Sequence, residues 1–418
     1  MENYVIVIFI LAVMIGLSAV ADKIKLPYPV ILITAGIAIG FIPSLPHVEL
    51  APEIVLLIFL PPLLYDAAFN ISATDFRTHF STISTLAITL VFVTTTAIAV
   101  TAYYLIPGMT WPLAFVLGAI LSATDAVAAI SITKGLGISH KTTTILEGES
   151  LINDASALVA YRFAVAAVTG TAFVFWKATL EFALLIAGGL LIGVVLGKIT
   201  AWILHYVKHN SQVTVSLLLL MPLVTYLIAE ELHVSGVIAV VVLGLGISQF
   251  SNKLFHEHLK QQSKSTWDII VFLLNGLIFI LIGLQLPYLL NTLEEGLVLP
   301  YIGYAFLINT VALLLRTGWV FLQRRNLFKA FSSKNEKRKV TKDALLDFKT
   351  SLIISWSGMR GIVSLAIAIG LPTHLHNGEP FPQRTAIIFI SLVVVLFTII
   401  GQGLTLPLLV KKLGVKQE

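Results

Sequence analysis

No cysteine occurs in the 418 residues, which rules out a disulfide framework, thiolate metal sites and cysteine nucleophiles while leaving the compartment open. Charge is scarce as well. Asp, Glu, Lys and Arg make up 12% of the chain against 57% hydrophobic residues, a balance that excludes an ordinary soluble domain. The first stretch, MENYVIVIFILAVMIGLSAVADK, lacks a basic leader region and a small-residue cleavage site, so it is expected to be a retained helix. In place of charge the chain carries long apolar runs, and an all-α polytopic membrane protein is expected.

Runs able to cross ~30 Å of hydrocarbon at ~1.5 Å per residue fall at about 4–21, 29–43, 53–69, 80–105, 112–133, 142–169, 178–205, 211–232, 234–250, 266–290, 299–322, 346–372 and 384–411. These are about thirteen transmembrane helices in a single domain over 1–418, with no sizeable cytoplasmic regulatory domain expected. The boundary at EELHVSG, between the eighth and ninth runs, is the weakest, because a merged helix there would invert everything after it. Loop charge tests the count. Most of the 27 Lys and Arg residues fall in alternate loops, among them Lys23 and Lys25, Arg77, Lys141, Lys208, Lys260 and Lys264, the stretch from Arg324 to Lys349, and Lys411 and Lys412. The positive-inside rule then places the N-terminus outside and the C-terminus in the cytoplasm, in a cell membrane. An odd number of spans permits two inverted six-helix repeats, with helices 1–6 at about 4–169, a connecting seventh at about 178–205, and helices 8–13 at about 211–411. The stretch from Gln323 to Lys349 is expected to lie at the inner surface, drawn to anionic membrane lipid.

Charge inside the spans is informative because each ionised group there costs ~2.5–3.5 kcal/mol on a translocon-type scale. Asp125 lies in the fifth run, Glu149 and Asp154 in the sixth, and Arg360 in the twelfth. Helical spacing puts Glu149, Ser150, Asn153 and Asp154 on one stripe able to line a wet cavity. Counting residues from the helix ends brings Asp125, Asp154 and Arg360 each to ~18–21 Å depth, near mid-bilayer. Arg360 is then the expected partner of one carboxylate. Glu149, one and a half turns from Asp154, is within reach of its guanidinium, which leaves the two aspartates unpaired. The fifth run contains no helix breaker and reads as continuous; Gly358 and Gly361 make a break in the twelfth plausible. The duller alternative for Asp125 and Asp154 is a neutral, hydrogen-bonded structural acid. For Asp66 it is a helix cap, for Arg162 and Arg316 snorkelling or local pairing, and for the loop histidines simple solvation.

FLPPLLYDAAF at 59–69, ATDAVA at 123–128, GESLINDA at 148–155, AEELHVSGVIA at 229–239 and SWSGMRGIVSLA at 355–366 together resemble the monovalent cation/proton antiporters of the sodium/proton exchanger and NhaP type, over nearly the whole chain. The resemblance implies a homodimer with a dimerisation panel and a moving six-helix core, in which helices 5 and 12 are discontinuous and cross at the ion site. It implies that Asp154 and Asp125 are ion ligands, that Ser150 and the Thr124 backbone add oxygens, and that Asn153 orients the site. Glu149 with Arg360 would be a structural ion pair, and Asp66 would lie near the cytoplasmic funnel. Many members have proline where this chain has Ala126, which bears on the shape of the fifth-helix break.

Hard monovalent cations prefer oxygen ligands, and carboxylates, a hydroxyl and carbonyls released by a broken helix supply them. Asp154 can hold either a proton or a metal ion, and competition for one site is enough for exchange. The expected function is antiport of sodium, with lithium, against a proton, without any cofactor beyond the transported ions; the resemblance implies electroneutral exchange, because Asn153 stands where relatives of the wider superfamily have a second aspartate. A potassium-selective antiporter is the nearest alternative. A cation channel would build its filter on a symmetry axis. An intramembrane aspartyl protease would leave Arg360 unexplained and lacks its signatures around Asp125 and Asp154. No enzyme activity, nucleic acid or soluble partner is expected.

Overall fold

The computed structural model of the chain describes residues 2–24, 26–42, 55–133, 136–170, 175–294, 296–332, 341–375 and 378–414. Among them the regular elements are helices, with one isolated bridge between His374 and Pro380. In chain order these are α1 (Glu2–Ile24), α2 (Tyr28–Gly40), α3 (Leu60–Asn70), α4 (Thr74–Leu105), α5 (Trp111–Ser122), α6 (Ala126–Thr133), α7 (His140–Val168) and α8 (Phe175–Val207). Then follow α9 (Ser211–Glu231), α10 (Gly236–Leu254), α11 (Glu257–Thr292), α12 (Val298–Phe331), α13 (Phe348–Trp356), α14 (Ile362–Ile369) and α15 (Arg384–Lys412). Eight helical segments among the described residues are long and apolar enough to cross a membrane, and shorter apolar helices cover Ile8–Ala19, Tyr28–Gly40, Leu57–Asn70 and Gly236–Ser251.

The helices gather into two compact units. One holds residues 1–50, 77–171 and 276–418, the other 51–76 and 172–275. In the first, α5 packs against α4 and α7, while α15 packs against α12, α14 and α6. Close approach is made possible by small residues: a Cβ on Gly118 of α5 would strike the Thr95 carbonyl of α4, and one on Gly36 of α2 would strike the Ile280 carbonyl of α11. In the second unit α10 packs against α8, α9 and α3.

EELHVSG separates two helices. Past Glu231, His233 adopts a left-handed φ of 56°, and Val234 N–H returns to the Ala229 carbonyl at 2.9 Å, closing α9 much as a glycine would. Ser235 then caps α10 by accepting from Ile238 N–H at 3.3 Å.

The fifth run, which contains no breaker, is broken. Ala123 is extended at φ −65°, ψ 138°, and helix resumes only at Ala126. Local propensity does not explain this; partners from other helices do. Asn153 of α7 donates to the Thr124 carbonyl at 3.0 Å, Asp125 N–H donates to the Met359 carbonyl at 2.7 Å, and Arg360 Nε donates to the Leu121 carbonyl at 3.0 Å. Backbone groups stranded in an apolar interior would each cost several kcal/mol, and these bonds remove that cost. The twelfth run breaks between Trp356 and Ile362. Its glycines are needed there for space. A Cβ on Gly358 would strike the Arg316 side chain and one on Gly361 the Asp125 carboxylate.

Candidate ion site at the crossing of two broken helices

The bond from Asp125 N–H to the Met359 carbonyl ties the two breaks to each other. Four helix ends therefore meet: the C-termini of α5 and α13 and the N-termini of α6 and α14. Helix N-termini favour negative charge and C-termini positive charge, and the side chains are arranged accordingly. Asp125 Oδ1 accepts from Val127 N–H at 2.8 Å and Ala128 N–H at 3.4 Å, capping α6, while its other oxygen lies against Gly361 at the start of α14. Arg360, buried at 2% exposure, sends Nε to the Leu121 carbonyl of α5 and Nη1 to the Gly358 carbonyl beyond α13, at 3.0 and 2.6 Å.

Arg360 is thus engaged by carbonyls, and the expected Glu149–Arg360 pair is not made. Glu149 is held instead by Arg316 of α12. Its two oxygens accept from Arg316 Nη1 and Nη2, the latter at 2.8 Å, and both residues are 2% exposed. Arg316 Nε completes the fork on the Ile354 carbonyl of α13 at 3.0 Å. The geometry is bidentate, the kind a planar guanidinium supports. Sequence carried a signal for this pairing. Glu149 lies about seven residues inside the near end of its run and Arg316 about six inside the near end of its own, so both sit ~10 Å deep, whereas Arg360 sits deeper.

From Glu149 the network runs on towards the crossing. Thr124 Oγ1 donates to Glu149 Oε1 at 3.0 Å and accepts from Asn153 Nδ2 at 2.6 Å. Asn153 therefore orients Thr124 through both carbonyl and hydroxyl, and its own Oδ1 is buried without a hydrogen bond among the described residues. Ser150 Oγ accepts weakly, at 3.4 Å, from Ala126 N–H at the start of α6.

Asp154 stands apart. It is 6% exposed, and among the described residues its carboxylate has no hydrogen-bond or ion-pair partner; Asp125 is close enough for its charge to act on it. The geometry brings Thr124, Asp125, Glu149, Ser150, Asn153, Asp154 and Arg360 into one region, and adds Arg316. Asp66 belongs to the other unit, inside α3 and so not a cap; there Asn70 Nδ2 donates to Asp66 Oδ1 at 3.0 Å, and Lys264 and Asp268 of α11 are near enough to act on its charge.

The family described as "Sodium/hydrogen exchanger, transmembrane" matches residues 8–412. The chain is 34% identical over 422 residues to a protein of Bacillus pumilus named "Sodium, potassium, lithium and rubidium/H(+) antiporter"; the match takes in 99% of this chain but 62% of that relative. It is 30% identical to the "Na(+)/H(+) antiporter NhaH" of Halobacillus aidingensis, covering 99% of this chain and 98% of the relative. In fold it is similar to the sodium proton antiporter MjNhaP1 from Methanocaldococcus jannaschii, with a TM-score of 0.73 at 21% identity over 99% of both chains. The family is one of ion transporters and not of enzymes. A match over residues 8–412 leaves no long stretch of the chain outside it, and the chain belongs to the sodium/hydrogen exchanger family.

Proposed function

We infer that this protein is a secondary antiporter that exchanges a monovalent cation for a proton at Asp154 and Asp125. The observation that carries this reading is the Asp154 carboxylate, buried and unpartnered among the described residues, beside an aspartate at the crossing of two broken helices. Asp154 takes up either the proton or the cation, with Asp125, the Ser150 hydroxyl and the Thr124 carbonyl as further oxygens. Asn153 and Thr124 hold the break open, Glu149 and Arg316 neutralise each other, and Arg360 offsets the helix C-termini. Asp125, as the cap of α6, keeps its charge through the cycle. A single carboxylate then alternates between a bound proton and a bound cation, the site carries the same charge in both states, and exchange is one for one and electroneutral. Alternating access follows if the site changes sides only when occupied.

The cation is sodium in this reading, with lithium. A second reading, potassium as a substrate, is favoured by the name of the Bacillus pumilus relative, which includes potassium and rubidium. Proton movement in reconstituted vesicles, with sodium, lithium, potassium and rubidium added in turn, decides between them, and flux with no added cation would sink both. We assign the protein to the cell membrane, lipid-embedded as a homodimer, with its N-terminus outside and its C-terminus in the cytoplasm. Asp66 would lie on the cytoplasmic approach to the site.

A further inference from the structure

A broken membrane helix loses the hydrogen bonds that would align its halves, so something else must align α13 with α14. On α15, Arg384, Ser391, Thr398 and Thr405 recur every seven residues, two helical turns apart. Three of the four bond the broken pair. Arg384 donates to the Ile369 and Leu371 carbonyls at the C-terminal end of α14, at 2.9 and 3.0 Å. Thr405 Oγ1 accepts from Trp356 Nε1 at the end of α13, at 2.9 Å. Between them Thr398, 0% exposed, reaches the break itself: its Oγ1 accepts from Arg360 N–H at 3.0 Å and donates to the Val395 carbonyl at 2.9 Å. The remaining member, Ser391, is buried and makes no side-chain bond among the described residues, as is Ser364 of α14.

We propose that α15 is the splint of the broken pair and that Thr398 is a positioning residue for the ion site. Arg360 is flanked by the two groups that touch Asp125: the Met359 carbonyl, which accepts from Asp125 N–H, and Gly361, against which the Asp125 carboxylate lies. Holding the Arg360 amide therefore fixes both contacts. Thr398 lies in a widened turn, Phe397–Gln402, whose backbone is π-helical, a distortion found often where a helix serves a site. The Thr398 hydroxyl is engaged by backbone groups of Arg360 and Val395. It acts through the backbone that presents Asp125.

This rests on the reading of Asp125 and Asp154 as the ion site, and two measurements separate the ideas. Thr398→Val keeps the shape and loses the bond, stranding a buried amide. It is expected to raise the apparent KM for the cation ~fivefold or more, the loss of one buried hydrogen bond, with a smaller change in maximal rate. Thr398→Ser should restore wild-type affinity. Independently of any cation, amide hydrogen exchange over residues 357–361 should be faster in Thr398→Val than in the wild type or Thr398→Ser. If the valine variant does not fold, Thr398→Ala carries the same expectations. Unchanged KM and unchanged amide protection in the valine or alanine variant overturn the splint, as does a serine variant as impaired as valine. Full exchange by Asp154→Asn would overturn the site reading, while the amide result would still decide the role of Thr398.

Discussion

With Glu149 held on both oxygens by Arg316 and Asp125 occupied as a helix cap, the proposed function makes Asp154 the acid that changes partners. Asp154→Asn should abolish cation-driven proton flux in proteoliposomes while leaving the protein folded, since an amide neither carries the proton nor supplies an anionic oxygen. Full sodium-driven flux in that variant is the outcome that removes the assignment. Arg316→Ala should behave differently. Removing one partner of a buried pair strands the other charge and costs ~3–5 kcal/mol, so the thermal midpoint should fall well below that of Asp154→Asn. Replacing Glu149 and Arg316 together should recover part of the loss, and simple additivity in that double-mutant cycle would show that they are not coupled.

The two breaks are stabilised by contacts between elements, so their sensitive positions are those that touch the neighbouring element. A methyl group at Gly361 meets the Asp125 carboxylate and one at Gly358 meets Arg316. Gly361→Ala should therefore weaken cation affinity, read as a raised KM, while Gly358→Ala should act on stability by ~1–3 kcal/mol, the usual cost of overpacking, read as a lowered thermal midpoint. Ala126 is the opposite case. It is the first residue of α6, the position where proline is tolerated because its N–H has no intrahelical partner, and Ala126 N–H makes only the 3.4 Å contact to Ser150. Ala126→Pro should retain exchange and move stability by less than ~1 kcal/mol; loss of transport in a folded variant would mean that the Ser150 contact matters.

For the whole molecule the informative quantity is charge moved per cycle. In the proposed mechanism the Glu149–Arg316 pair is internally neutral, Arg360 rests on carbonyls and Asp125 stays on its helix end, so that Asp154 alone exchanges a proton. An imposed membrane potential should then drive no net sodium or proton movement in proteoliposomes held at equal sodium and proton gradients, with potassium and valinomycin setting the potential once potassium has been excluded as a substrate. Net movement in either direction would show that charge crosses in each cycle and would overturn the single-carboxylate mechanism.

Apolar runs and the motifs around Asp125, Glu149, Asp154 and Arg360 were enough to read an all-helical polytopic membrane protein and to single out the acids that the fold gathers into one region, because helix length and the cost of buried charge act locally and read directly from residue type. Pairing was only partly legible, since residue counting matched the depths of Glu149 and Arg316 without excluding Arg360. Glu149 had two arginines within reach, and the choice of Arg316 depends on the Leu121 and Gly358 carbonyls, which engage Arg360 only after α5 and α13 have ended where they do. The fifth-run break is a second case: Ala123, Thr124 and Asp125 have no local reason to leave the helix, and they do so because Asn153, Met359 and Arg360 supply partners from helices distant in sequence. Local propensity, at a few tenths of a kcal/mol to ~1 kcal/mol per residue, is overridden wherever several buried hydrogen bonds and helix-end charges act together.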